Sequence, residues 1–166
     1  MVPTPSHTDT HKLPSNRCSG VEIPALALEA AVRTYSAGGQ WKRAGELFDT
    51  LLTAGSPLHE TTVLSVFDAL ATGKQGSQCS TLLAVMSTRA AAKGFGEGAL
   101  SKYYNLTVRA LVKEGASDAA LTLLTRMAMD DDIVVQRDTF NVVAAEMLRS
   151  GRTSDAEEVM ELRDFL

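Results

Sequence analysis

The chain has few of the residues that build most catalytic and metal sites. Among its 166 residues are two cysteines, three histidines and one tryptophan, and only 5% of the residues are aromatic. The cysteines show no CxxC spacing and have no histidine partner, which argues against a disulfide framework and a zinc site. No apolar run approaches the roughly 18 residues that a membrane span needs. The sequence also contains no Ser/His/Asp or Cys/His arrangement, so we predict no enzyme, no cofactor and no metal.

Charge and proline are unevenly distributed along the chain. The net charge is −4, and all of it arises in residues 101–166, where eight basic residues stand against twelve acidic ones. A surface that binds a polyanion usually has the opposite balance. Four of the five prolines lie in residues 1–24, and none follows Pro57. We therefore expect an extended or disordered N-terminal arm over residues 1–24, either the remainder of a cleaved presequence or a docking arm, with uninterrupted helices after it.

A repeat of about 35 residues dominates the rest of the chain. Tyr104-Asn105 and Phe140-Asn141 open two apolar-periodic segments 36 residues apart, and each segment reaches a glycine ten residues after its asparagine. A small residue follows five positions beyond each glycine. The same frame can be followed backwards to give four units, which span roughly residues 25–59, 60–99, 100–136 and 137–166.

Each unit is predicted to be a pair of antiparallel helices. Apolar residues recur at helical spacing on both sides of a residue that suits a left-handed helix end: Gly39, Lys74, Gly115 or Gly151. The small residue five positions later, which lets the paired helices approach, is Ala44, Cys79, Ala120 or Ala156. One such pair cannot bury its apolar face alone. The predicted fold of residues 25–166 is therefore an all-α solenoid of antiparallel helix hairpins, about eight helices in a right-handed superhelix.

The aromatic-Asn opening, followed by Gly115 and Ala120 and again by Gly151 and Ala156, resembles the pentatricopeptide repeat (PPR) family. The resemblance covers about 140 residues and is clearest in the last two units. The Trp-x2-Leu-Gly-x2-Tyr opening of tetratricopeptide repeats is absent. The resemblance implies a protein of chloroplasts or mitochondria, and members of this family typically bind single-stranded RNA with one base per repeat.

Base choice in that family depends on a residue near the start of each first helix and on a partner at the end of the unit. Here those pairs are Glu29 with His59, Leu64 with Leu100, and Asn105 with Gln136, and Asn141 opens a fourth. Only the two asparagines match base-reading residues, and a base that faces two leucines gains no hydrogen bond. The code of the family is largely absent from this chain.

Lys113 and Arg149 lie late in the first helix, where family members often hold phosphate. Together with Asn105 and Asn141 they are the candidate residues for RNA binding. The alternative interpretation is local: the asparagines hydrogen-bond their own backbone at a helix start, and the cations complement a helix C-terminus. Two phosphate contacts would give only weak, salt-sensitive binding.

Candidate contacts to protein partners lie in two loops. Phe95 stands in the glycine-rich insertion of residues 94–98, and the run Asp130, Asp131 and Asp132 follows a helix end and points to solvent. We predict a non-catalytic scaffold or accessory subunit that binds other proteins in an organellar assembly, which could be a photosynthetic complex, a respiratory complex or a ribosome. The alternative is a weak single-stranded RNA-binding module of an organellar ribonucleoprotein. Neither hypothesis involves a small-molecule substrate.

Overall fold

The computed structural model of the chain describes residues 24–93 and 98–165, and these form eight α-helices. Phe95 and residues 1–23 of the predicted arm lie outside the described residues. The all-α prediction is confirmed, and every predicted unit contains two helices. Their bounds are α1 Ala25–Ala37, α2 Trp41–Thr53, α3 Glu60–Thr72, α4 Gly76–Lys93, α5 Ala99–Glu114, α6 Ser117–Ala128, α7 Arg137–Arg149 and α8 Thr153–Phe165.

The turn inside each hairpin has the left-handed residue that the repeat frame predicted. The φ angles are +68° at Gly39, +57° at Lys74, +89° at Gly115 and +76° at Gly151. In all four turns the following N–H donates to the carbonyl five residues earlier, as from Gln75 to Leu70 O at 2.9 Å. Lys74 therefore adopts the conformation that glycine supplies in the other units, and the register of the weakest unit is confirmed.

The small residue that follows each turn is buried between paired helices. Ala44, Cys79 and Ala120 are fully buried and Ala156 nearly so. Burial, with a smaller contribution from Glu114, raises the pKa of the Cys79 thiol to about 12. Cys79 is therefore a protonated core residue and not a reactive thiol.

The hairpins stack into two layers. Odd-numbered helices form the inner layer, in which α1 contacts α3, α3 contacts α5 and α5 contacts α7. Helices α2, α4 and α6 each contact their hairpin partner and the odd helix that follows, and α8 contacts α7, so the outer layer is more open. The core continues through every unit, with Phe67 of α3 stacked on Tyr103 of α5 at 5.0 Å between ring centroids. The chain is thus a continuous helical repeat.

Two glycines allow close approach between units. A Cβ at Gly73 would lie 2.5 Å from the Trp41 ring, and a Cβ at Gly76 would lie 2.6 Å from Leu111 Cα. Next to Gly76, the Glu114 carboxylate accepts hydrogen bonds from the N–H and hydroxyl of Ser77, both at 2.9 Å. The start of α4 is therefore fixed against the end of α5.

Candidate interaction surfaces

The position of the third unit that the PPR resemblance would assign to base reading, Asn105, is buried and fully engaged within the protein. Asn105 is 2% exposed. Its Oδ1 accepts from Gln136 N at 2.9 Å and from Thr139 Oγ1 at 2.7 Å. Its Nδ2 donates to Ser101 O at 2.7 Å and to Val134 O at 2.9 Å. Asn105 thus joins α5 to the loop and first turn that open the next unit.

The first unit has the same arrangement with a carboxylate in place of the amide. Glu29 is 1% exposed and accepts from Thr62 Oγ1 at 2.6 Å, from His59 N at 3.3 Å and from His59 Nδ1 at 3.0 Å. Burial alone would raise the pKa of Glu29, but the hydrogen bonds from Thr62 and His59 outweigh it and hold the pKa below its usual value. The position near the helix start therefore binds the following unit in both cases.

The two remaining units lack this connection. Leu64 of the second unit is half-buried, and in the place of the threonine stands Tyr103, which is fully buried. Asn141 of the fourth unit is exposed, and its Oδ1 accepts from Arg163 Nη1 at 3.0 Å. Of the two asparagines that the sequence proposed as base readers, only Asn141 presents its side chain to solvent.

The two predicted phosphate contacts differ in their surroundings. Lys113 and Arg149 are both exposed and lie in the last turns of α5 and α7. Arg149 donates from Nε to Glu146 at 2.8 Å, and hydrogen bonding by Arg149 holds the pKa of Glu146 below its usual value. Glu146 also accepts from Ser117 Oγ at 3.2 Å, so this arginine takes part in a contact between units. Lys113 makes no such ion pair within the described residues.

One basic feature was not predicted from the sequence. Lys102 and Arg109 lie on α5 with Lys113, and the first two line a pocket of about 200 Å³ between α3 and α5. Lys102 is paired with Glu60 at 2.8 Å. The other residues around this pocket are Leu64, Asn105, Leu106 and Gln136. The C-terminal half of the chain is acidic, but α5 carries more cations than acids. In the sequence this excess was visible only as lysine and arginine at helical spacing.

An apolar groove of about 300 Å³ lies between α2 and α4 on the outer layer. Val66 and Leu70 of α3 form its floor, and Phe48, Leu52 and Val85 line its sides. This groove exists because even-numbered helices are held apart by the odd helix between them. Polar residues are few along it, which suits apolar side chains of a partner.

The predicted acidic contact lies where the sequence placed it, in the loop between α6 and α7. Asp130, Asp131 and Asp132 are all exposed, and Asp130 Oδ1 accepts from the N–H of Asp132 at 3.1 Å. The loop residues Asp130 and Asp131 line a pocket of about 670 Å³ together with the end of α8. Phe95, the other predicted partner contact, lies outside the described residues.

Within residues 24–93 and 98–165, no three His, Cys, Asp or Glu side chains are placed to hold a metal ion. No helix in this part of the chain is both long and apolar enough to cross a membrane.

Comparison with known proteins supports the fold. No protein-family model matches the chain, and no curated protein matches it in sequence. The structure is similar to the crystal structure of the pentatricopeptide repeat protein PPR10 from maize, with a TM-score of 0.65 and 18% sequence identity over 81% of this chain. The fold is that of a PPR-like helical repeat. The matched region spans 18% of the maize protein, so the likeness describes architecture and carries no activity with it.

Proposed function

We propose that the chain is a non-catalytic helical-repeat scaffold, or accessory subunit, that binds other proteins in an organellar complex. The observation that carries this proposal is the use of Glu29 and Asn105 as connections between units. In an RNA reader of this fold the corresponding side chains would face bases. Here they face His59 and Gln136 of the same chain.

Base reading at these positions would be costly. To turn toward a base, Asn105 would have to release four hydrogen bonds to the protein. Each is worth about 0.5–1.5 kcal/mol net, and the buried Thr139 hydroxyl would lose its partner. Glu29 is a carboxylate that remains ionised, and it would repel phosphate. Two of the four positions are therefore better suited to stabilising the stack than to selecting nucleotides.

Protein binding uses the surfaces that remain. The apolar groove between α2 and α4 offers buried walls with an exposed edge at Val85. The C-terminal half carries the net negative charge, which favours basic protein surfaces over a polyanion. We place the protein in a chloroplast or mitochondrion on the PPR resemblance, in a photosynthetic, respiratory or ribosomal assembly.

Weak binding of single-stranded RNA is the second candidate, and one observation favours it. The pocket between α3 and α5 combines Lys102 and Arg109 with the edge of Asn105, and Lys113 continues the same helix. Asn141 and Arg149 of α7 are exposed and could extend that path. Three phosphate contacts, by Lys102, Arg109 and Lys113 of α5, would give a salt slope of about −2, because each contact to a single strand contributes roughly −0.7.

A native-gel experiment separates the two candidates. The protein carries a C-terminal tag, and the particle that contains it in an organelle extract is sized on a native gel with and without RNase. We expect a large particle that survives RNase, because protein contacts hold it. As a matched test, Lys113→Ala with Arg149→Ala is expected to leave the particle intact. Loss of the particle in both experiments would reject the scaffold and favour the RNA-binding alternative. Loss in the double variant alone would reflect the contact between units in which Arg149 takes part.

A further inference from the structure

The most exposed large apolar side chains of the described residues gather at one end of the stack. Phe165 is 88% exposed, Met129 80% and Val134 69%. Val134 and Phe165 line the pocket of about 670 Å³ between the loop before α7 and the end of α8, and Met129 lies in the chain between two residues that line it, Ala128 and Asp130. Two of the three most exposed apolar side chains at one pocket are more than the scattered exposure that a surface normally shows.

Part of the pocket lining is apolar and buried. Met127 at the end of α6, Ile133 in the loop and Phe140 on α7 line the pocket, and all three are buried in the core. A partner side chain that enters would therefore contact the core, with Val134 and Phe165 at the exposed edge. An exposed rim around a buried floor is the anatomy of an anchor pocket at a protein interface.

The charges on the rim indicate what kind of partner fits. Asp130 and Asp131 line the pocket, and Asp132 follows them. Two arginines line the pocket. Arg163 is paired with Asp164 at 2.7 Å, so Arg137 is the remaining cation that opposes the charges of the three aspartates. The rim therefore attracts cations, and it disfavours both RNA and an anionic membrane surface.

We infer that this pocket, the acidic C-terminal pocket, docks a basic amphipathic helix of a partner protein, with apolar side chains on the floor and lysine or arginine against the three aspartates. A helix laid into a groove presents apolar anchors on one face and leaves its charged flank toward the rim. The inference rests on the proposed scaffold function and names its partner chemistry.

The probe is a synthetic leucine/lysine peptide of about five helical turns, and its control has glutamate in place of every lysine. Amide chemical shifts of the full chain are followed by NMR as each peptide is added. We expect the lysine peptide to bind and to shift residues 127–137 and 163–165. The inference is overturned if the lysine peptide does not bind, if the shifts lie elsewhere, or if the glutamate peptide binds equally well.

Two pairs of variants test the chemistry. Changing the three loop aspartates to asparagine should lower the affinity for the lysine peptide about tenfold, because each interfacial charge contributes a factor of roughly two to three to that affinity. The matched control removes three exposed acids from α8 and should leave affinity unchanged: Glu157→Gln, Glu158→Gln and Glu161→Gln. Phe165→Ser should weaken binding, whereas Leu26→Ser, at an exposed site on α1, should not. Equal effects within either pair would show non-specific attraction and overturn the inference.

The organelle particle distinguishes this inference from the proposed function. A variant that carries the three asparagines and Phe165→Ser is expected to dissociate from the RNase-resistant particle. If that variant stays in the particle, the acidic C-terminal pocket is not the docking site and the scaffold function still stands. If RNase dissolves the wild-type particle, the scaffold function itself fails.

Discussion

Replacing Asn105 by alanine should destabilise the fold far more than the same change at Asn141, the equivalent position one unit later. Asn105→Ala leaves the fully buried Thr139 hydroxyl and the Gln136 N–H without their acceptor. Each lost partner of a buried polar group costs about 1–3 kcal/mol, and the loop is partly open to water, so we expect about 2–4 kcal/mol in total. Asn141→Ala removes one exposed contact to Arg163 and should cost less than about 0.5 kcal/mol.

Urea unfolding followed by circular dichroism at the helical band measures both variants under identical conditions. We expect a lower urea midpoint for Asn105→Ala and a midpoint near that of wild type for Asn141→Ala, with similar slopes of the unfolding free energy against urea concentration. Equal stability of the two variants would refute the assignment of Asn105 as a connection between units. An RNA affinity that falls in Asn105→Ala at unchanged stability would instead identify that residue as a base reader.

Four further changes test the packing and charge of the stack. The pKa of Glu29 lies below its usual 4.5, so the ionised carboxylate stabilises the fold above that pH, and this contribution is lost as pH falls through the folded-state pKa. The stability difference between wild type and Glu29→Gln should therefore shrink in acid. A difference that does not change with pH would contradict this reasoning. Gly76→Ala should lower the melting temperature, since its Cβ would lie 2.6 Å from the α5 backbone. Gly45→Ala, in the open interior of α2, should raise stability by up to about 1 kcal/mol. Ala120→Leu should cost about 1–3 kcal/mol by overpacking a fully buried site, and thermal unfolding of all of these variants gives the comparison.

The fold was predictable because its determinants are local and recur. A left-handed residue must end each first helix, and a small residue must follow where the paired helices cross, so the two positions keep a fixed spacing in all four units. Even Lys74 could be placed by register alone. The close approach of Gly73 to Trp41 could not be predicted, because it depends on how neighbouring units are rotated against each other.

The surfaces were less predictable than the core. The position of Asp130 to Asp132 in a solvent-exposed loop followed from the helix end before it. The position of the acidic C-terminal pocket did not, since it requires the end of α8 to lie next to a loop that precedes it by about 30 residues. Val134 and Phe165 looked like ordinary apolar residues in the sequence, and only their exposure in the fold distinguishes them.

The connection between units accounts for the residue types at the positions that the PPR resemblance would assign to base reading. Glu29 and Asn105 differ in charge, but each has one oxygen that accepts the N–H of the last residue of its own unit and a threonine hydroxyl of the next unit. The threonine lies three residues after the end of each unit, at Thr62 and Thr139, and could have been found in the sequence by that spacing. In the second unit the threonine is replaced by Tyr103, and its partner position is accordingly apolar. In these two units the side chain near the helix start is therefore paired with a residue of the following unit, which meets a requirement of stacking.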